Sequence, residues 1–460
     1  MRCRFVISLM ALLLLASCGH TTIDSPIDAI PDGVTRVVAI NLNDIAEAYG
    51  DRINDATGNM TPAAESAIAT IMPAPMMRAI AAVLPTGAVD PECAVLYTNT
   101  KRYSALILKV TDEETLTDKL SGFRDPAEDF SDYKTYTIGH RLVAIGNSLC
   151  IIAPDAETIT PAGQGKSNDN IAKTSFLRDF LERDDAVRVV ASGSAIYGSK
   201  MKGKWIRAAA RFTEHALNTR LEILNSDGTT DSIGSRIAGQ IDPDALKFVP
   251  QGASVVIASG LQGSDAKLFG IEDLISNYFP GDVAMSRTGT TLFYGRPAGS
   301  LNTDNILSPS VWNLASVTAM SAEDGDQAIK RLQNYTDGFA ILDPETTCYT
   351  YTRDDQTLTY GYTDGYFLQG LNGGFTFGNN SDYSSLFHRA CIAGVIDIPA
   401  GSELQKAAGL PCGASLEVKL TTTLLTAKLT LYGNKQPVLA TLDGIEYLHG
   451  ALPYLIVANE

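Results

Sequence analysis

The chain has 460 residues, 45% hydrophobic and 19% charged, enough for on the order of two to four domains of ~150 residues. Its 39 Gly and 20 Pro follow no period, and no apolar run beyond the N-terminus is long enough to cross a bilayer, which excludes collagen-like, disordered and multi-span membrane proteins. With 36 basic and 52 acidic residues the net charge is −16, which excludes a nucleic-acid partner because phosphates would be repelled.

Arg2 and Arg4 form a short basic start, Phe5 to Ala16 is apolar, and Leu15-Ala16-Ser17-Cys18 closes the segment. Such a stretch is too short to span and ends in small residues, so it reads as an export signal. The Leu-Ala-Ser-Cys ending resembles the lipobox of bacterial lipoproteins. That resemblance implies cleavage of residues 1–17, a diacylglycerol on the Cys18 sulfur and an acylated Cys18 amine. Several acyl chains, at ~0.8 kcal/mol per buried CH₂, hold a protein on a membrane without a spanning helix.

Losing Arg2 and Arg4 with residues 1–17 leaves 34 basic against 52 acidic residues, a net of −18, so the body stands off anionic head groups. Residues 18–30 read as a lipidated tether, polar and without periodicity from His20, reaching at most ~40 Å at ~3.5 Å per residue. Gly19 stands where an Asp retains lipoproteins of enteric bacteria at the inner membrane, so the resemblance implies the outer membrane. Asp24 and Asp28 are the only nearby acids, and the periplasmic and cell-surface faces both stay open.

Five cysteines lie beyond the anchor: Cys93, Cys150, Cys348, Cys391 and Cys412. An odd number cannot all pair within one chain, and no spacing matches a zinc or redox motif. Buried thiols are expected, with Cys391–Cys412 the one pairing worth testing.

Next the chain repeats itself. Ile30-Pro31-Asp32-Gly33 leads into a strand-like Val34–Ile40, and Val249-Pro250-Gln251-Gly252 into Ala253–Ala258. Tyr103–Val110 runs into a helix opening at Thr111, and Ser316–Met320 into one opening at Ser321. Both starts place an acid three residues after a hydroxyl, the spacing of a helix cap. Paired strands (134–152 and 347–371), short amphipathic helices (175–181 and 384–390) and a long hairpin follow in the same order. The hairpins show period-two alternation, as in Leu416, Val418 and Leu420 against Glu417, Lys419 and Thr421.

The expected fold is therefore α+β, with two pseudo-repeated halves over 31–240 and 245–460, each a mainly antiparallel sheet with helices packed on one face. Between the first two strands of the first half, the Met72, Met76, Met77, Ile80 and Leu84 stripe is expected to pack in a core. Lipobox, Ile-Pro-x-Gly strand and Thr-Asp-Glu-Glu helix, repeated after a Gly281-Asp282-Val283 strand, resemble duplicated Bacteroidota-type lipoproteins of a domain-of-unknown-function family. The resemblance implies an envelope lipoprotein and carries over no catalytic residue.

No nucleophile elbow, zinc-protease, phosphate-loop or calcium-loop motif occurs. Ser-x-x-Lys at Ser199–Lys202 and Ser264–Lys267 lacks its companion motifs, and the histidines His140, His215, His388 and His449 share no helical or strand spacing. Glu323-Asp324-Gly325-Asp326 reads as the charged first turn of a helix. No metal and no cofactor is expected.

Aromatic residues crowd the second half, and Tyr349, Tyr351, Tyr360, Tyr362 and Tyr366 are the candidate binding surface, since aromatic platforms stack on sugars and grip partner chains. Strand alternation offers the competing role of cross-strand sheet stabilisers. Asp231-Ser232-Ile233 resembles the O-glycosylation acceptor of the same phylum, making Ser232 a candidate modification site. These features predict a non-catalytic, lipid-anchored protein at the outer membrane that presents a surface to an envelope protein or glycan. The alternative is an envelope hydrolase assembled from dispersed Ser, Asp and His.

Overall fold

A computed structural model describes residues 25–55, 58–99, 104–123, 133–159, 171–213, 215–231, 239–249, 252–261, 271–280, 289–306, 308–354, 356–373 and 383–432. The chain divides into two compact units, with the boundary between Ala191 and Ser192 and with Ala48–Gly50 grouped with the second.

In the first unit the strands are β1 (Val34–Ile40), β2 (Val89–Asn99), β3 (Ser104–Val110), β4 (Lys134–Ile138), β5 (Arg141–Gly146), β6 (Leu149–Ala153) and β7 (Val187–Ser192). Antiparallel pairing orders them β7-β1-β2-β3-β6-β5-β4. Gly33, at φ 74°, turns the chain into β1, a left-handed conformation that costs glycine nothing. Within the expected tether, Pro26–Ala29 forms a 3₁₀ turn capped by Ser25, and Ile27 and Ile30 are buried. Prolines at 73 and 75 divide the methionine block into helices Pro62–Ile71 and Met77–Val83, with Met72, Met76, Ile80 and Leu84 buried.

The second unit holds β8 (Trp205–Phe212), β9 (Ala216–Leu224), β10 (Val255–Ser259), β11 (Thr291–Pro297), β12 (Trp312–Ala319) and β13 (Ile341–Asp343). It continues with β14 (Cys348–Arg353), β15 (Gln356–Thr363), β16 (Tyr366–Leu371), β17 (Ile392–Ile398), β18 (Gly413–Leu420) and β19 (Leu424–Tyr432). Pairing runs β17-β10-β11-β12-β16-β15-β14-β13 in one direction from β17. In the other it runs β18-β19-β9-β8. Substituting β10, β11, β12, β14, β15, β16 and β17 for β1 to β7 turns the first unit's order into the second's.

The expectation of two halves, each with its own sheet and helices on one face, is corrected in two respects. All nineteen strands among the described residues belong to one antiparallel sheet. The open edge of the β18–β19 hairpin does not end a separate layer, because the edge of the β8–β9 hairpin pairs with it and satisfies its backbone groups. Helices also cover both faces of the sheet in the second unit. Tyr366 and Leu368 pack with Phe248 and Phe387 on one side, while Phe367 and Leu371 pack with Phe279 and Leu332 on the other. Strand side chains alternate faces, so β16, buried at every position, requires cover on both.

Helix Ala322–Tyr335 opens at Ser321 as its spacing predicts, the hydroxyl accepting from the Asp324 N–H at 3.2 Å. Its first-unit counterpart Glu113–Leu120 opens one residue later than expected, at Asp112, whose carboxylate accepts from the Thr115 N–H at 3.0 Å. An aspartate caps as well as a hydroxyl residue does, so the stronger acceptor beside Thr111 takes the role. Gly281–Val283 lies outside the described residues. No described helix is long and apolar enough to cross a membrane.

Candidate functional site

Among the described residues β13 ends the second unit's ladder on the side opposite β8, and it is built to project. Helix Ala322–Tyr335 ends with the Gly338 N–H donating to the Gln333 carbonyl at 2.9 Å and the Phe339 N–H to that of Thr336 at 2.9 Å. Asp337 and Gly338 hold positive φ (49° and 76°), the left-handed step that closes a helix and throws the following residues outward. Among the described residues β13 then pairs on one side only, Ile341 opposite Thr350 and Leu342 opposite Tyr349. A tight turn returns the chain, with the Thr347 N–H donating to the Asp343 carbonyl at 2.9 Å.

This edge concentrates exposed apolar surface. Of the six exposed large apolar side chains among the described residues, four lie here: Tyr335 at 57%, Phe339 at 75%, Ile341 at 75% and Leu342 at 49%. Scattered single apolar residues are ordinary, but a cluster on a strand edge marks an interaction surface. Phe339, Ile341 and Leu342 line a groove of about 400 Å³ together with Thr350, Tyr351 and Thr352 of β14. Asp343 also lines it. The Glu345 N–H and the Thr346 hydroxyl both donate to its carboxylate, which lies below the usual carboxylate range and stays charged. From Tyr335 to Asp354 the chain carries four acids, Asp337, Asp343, Glu345 and Asp354, against the single cation Arg353. The groove is lined by apolar, threonine and tyrosine residues with one carboxylate, Asp343, and it lies in an acidic stretch of chain.

The five candidate tyrosines do not form one platform. Tyr360 and Tyr366 are core residues, at 0% and 4% exposure. Tyr349 stacks on Tyr360 with ring centroids 5.4 Å apart, the cross-strand role. Tyr362 is half-buried and donates to the Met320 carbonyl at 3.1 Å. Tyr366 donates to Asp242 at 2.5 Å, and burial, followed by that carboxylate, pushes its hydroxyl upward. Only Tyr351 reaches the groove. Phe339, Ile341 and Leu342 went unnoticed in the sequence because Phe-Ala-Ile-Leu-Asp reads as an ordinary buried strand.

The described members of the dispersed Ser, Lys and His candidates are surface residues. His140, His215 and His388 are exposed on separate turns, and Ser199 and Lys202 are exposed. Among the described residues no group of three or more His, Cys, Asp and Glu could hold a metal. All five described cysteines are free thiols and four are buried, in line with the expectation, and Cys391 and Cys412 are not paired. Cys391 packs with Leu261 and Leu420, Cys412 with Leu429 and Leu431, in different clusters. Cys18, Ser232, Ser264 and His449 lie outside the described residues.

No protein-family model matches the chain, and no curated protein matches it.

Proposed function

We propose that this chain is a lipid-anchored protein of the bacterial outer membrane, non-catalytic, whose folded body presents a binding surface to another envelope protein. The observation that carries the binding role is the cluster of exposed Phe339, Ile341 and Leu342 at a strand with one edge unpaired among the described residues. The anchor rests on the Leu15–Cys18 lipobox behind a short apolar segment. A protein partner is preferred to a glycan because one tyrosine of the five candidates, Tyr351, faces the groove, whereas sugar platforms need aromatic rings free to stack. Internal duplication of a Bacteroidota-type lipoprotein module is part of the same reading. Its support is the strand order shared by β1–β7 and their seven counterparts.

Membrane flotation after growth with an alkyne fatty acid tests the anchor. The wild-type chain carries the label and floats, and Cys18→Ser abolishes both. A Cys18→Ser chain that floats as well as wild type refutes the anchor.

A further inference from the structure

We propose that the β13 edge takes up an extended segment of another protein as an added strand, and that this segment alternates apolar side chains with lysine or arginine. The inference rests on the binding role proposed above and names the partner's chemistry.

A strand that pairs on one side presents its remaining N–H and C=O groups as a template for another strand, and native proteins usually blunt such edges with lysine, proline or cover. β13 holds no lysine or proline and, among the described residues, no cover lies on its free edge; its shortness and its terminal Asp343 are its only blunting features. Its residues are Ile341, Leu342 and Asp343, and the exposed Phe339 lies two residues before it. Strand addition draws affinity from main-chain bonds and specificity from pockets for alternate side chains. The groove between Phe339 and Tyr351 is such a pocket.

The first unit's ladder, by contrast, ends at β4, which corresponds to β14, so among the described residues β13 is an addition peculiar to the second unit. Charge decides between occupants. A second copy of this chain would bring four acids to an edge already carrying four acids and one cation. Like charges facing across a strand pair are destabilising, whereas lysine or arginine beside Asp337, Asp343 and Glu345 is favoured.

The probe is a short fluorescent peptide alternating valine with lysine, titrated into the full-length chain in detergent. Amide hydrogen exchange is read at the same time. The expected result is saturable binding that slows exchange at residues 340–343. It weakens about tenfold or more in the charge-neutral double variant Phe339→Ser/Ile341→Thr, and by a similar factor when glutamate replaces lysine in the peptide. Both substituted side chains are exposed, so the variant retains the wild-type urea midpoint. Absence of binding, equal binding by the variant, equal binding of the glutamate peptide, or protection confined to other residues each overturns the proposal. Flotation of the same preparation reads the anchor separately. A chain that floats but ignores the peptide sinks the edge proposal alone, and one that binds but does not float sinks the anchor alone.

Discussion

Thr219 faces Ala427 at the centre of the β9–β19 pairing, and the Thr219 hydroxyl donates to the Ala427 carbonyl at 3.3 Å. The ladder is self-complementary about that pair. Leu217 lies opposite Leu429 on one side of it and Leu221 opposite Leu425 on the other. The hairpins themselves match residue for residue, Phe212 facing Leu217 as Leu420 faces Leu425. Two hairpins of one design thus meet edge to edge around a local twofold, the symmetry that a strand pair acquires when like edges join.

The two hairpin turns extend this likeness to single atoms. The Ala216 N–H donates to the Thr213 hydroxyl oxygen at 3.1 Å, and the Leu424 N–H donates to that of Thr421 at 3.1 Å. Each hydroxyl in turn donates to the carbonyl of that same residue, at 3.2 Å in both turns. Thr213→Val and Thr421→Val should each cost about 1 kcal/mol in urea unfolding. The turns sit at opposite ends of the ladder, roughly 20 Å apart at ~3.4 Å per residue, so the double variant should lose the sum of the two.

Tyr97 and Tyr294 occupy matching places, opposite Val37 on β1 and Val256 on β10, and both are buried. Their hydroxyls differ. Tyr97 donates to the buried Thr158 carbonyl at 2.6 Å, while the Tyr294 hydroxyl has no hydrogen-bond partner among the described residues. Removing the first leaves a buried acceptor unpaired, so Tyr97→Phe should cost about 1–3 kcal/mol. Tyr294→Phe removes a desolvated group and should be neutral or stabilising. Chemical denaturation of the two variants separates these outcomes.

Alkali should loosen the first unit. Burial pushes the Cys150 thiol up to about 12 from its ordinary 9.0, and burial likewise raises the Tyr97 hydroxyl. Between those two values the unfolded chain has released the Cys150 proton that the folded chain retains. Stability is therefore full below 9.0 and falls as pH rises toward 12. The slope for this one thiol approaches about 1 kcal/mol per pH unit. Urea midpoints taken between pH ~8 and ~10.5 should fall for wild type and fall less steeply for Cys150→Ala, which is weaker throughout because of its cavity.

Much of the local structure was legible because its causes are local. Gly33 and Gly252, the glycines expected to turn the chain into β1 and β10, sit at φ 74° and 72°, and hairpin alternation marks the strands on either side of Thr421–Thr423. What escaped depends on distant partners. Strand alternation located the β9 and β19 edges but says nothing of which edge another strand will meet, so one sheet was read as two. Gly325 shows the same limit inside a motif. Its acidic neighbours explain the helix start, yet a Cβ there would lie 2.3 Å from the Tyr362 ring, so glycine is needed to seat that tyrosine. The β13 edge was missed because exposure cannot be told from burial in a short apolar run.

Intact-mass spectrometry of the protein purified from its native membrane tests most directly the proposal that acyl chains on Cys18 moor a binding scaffold to the outer membrane. The account predicts a chain beginning at Cys18 whose mass exceeds that of the polypeptide by a diacylglycerol and an amide-linked acyl group. A chain beginning elsewhere, or one beginning at an unmodified Cys18, would contradict it.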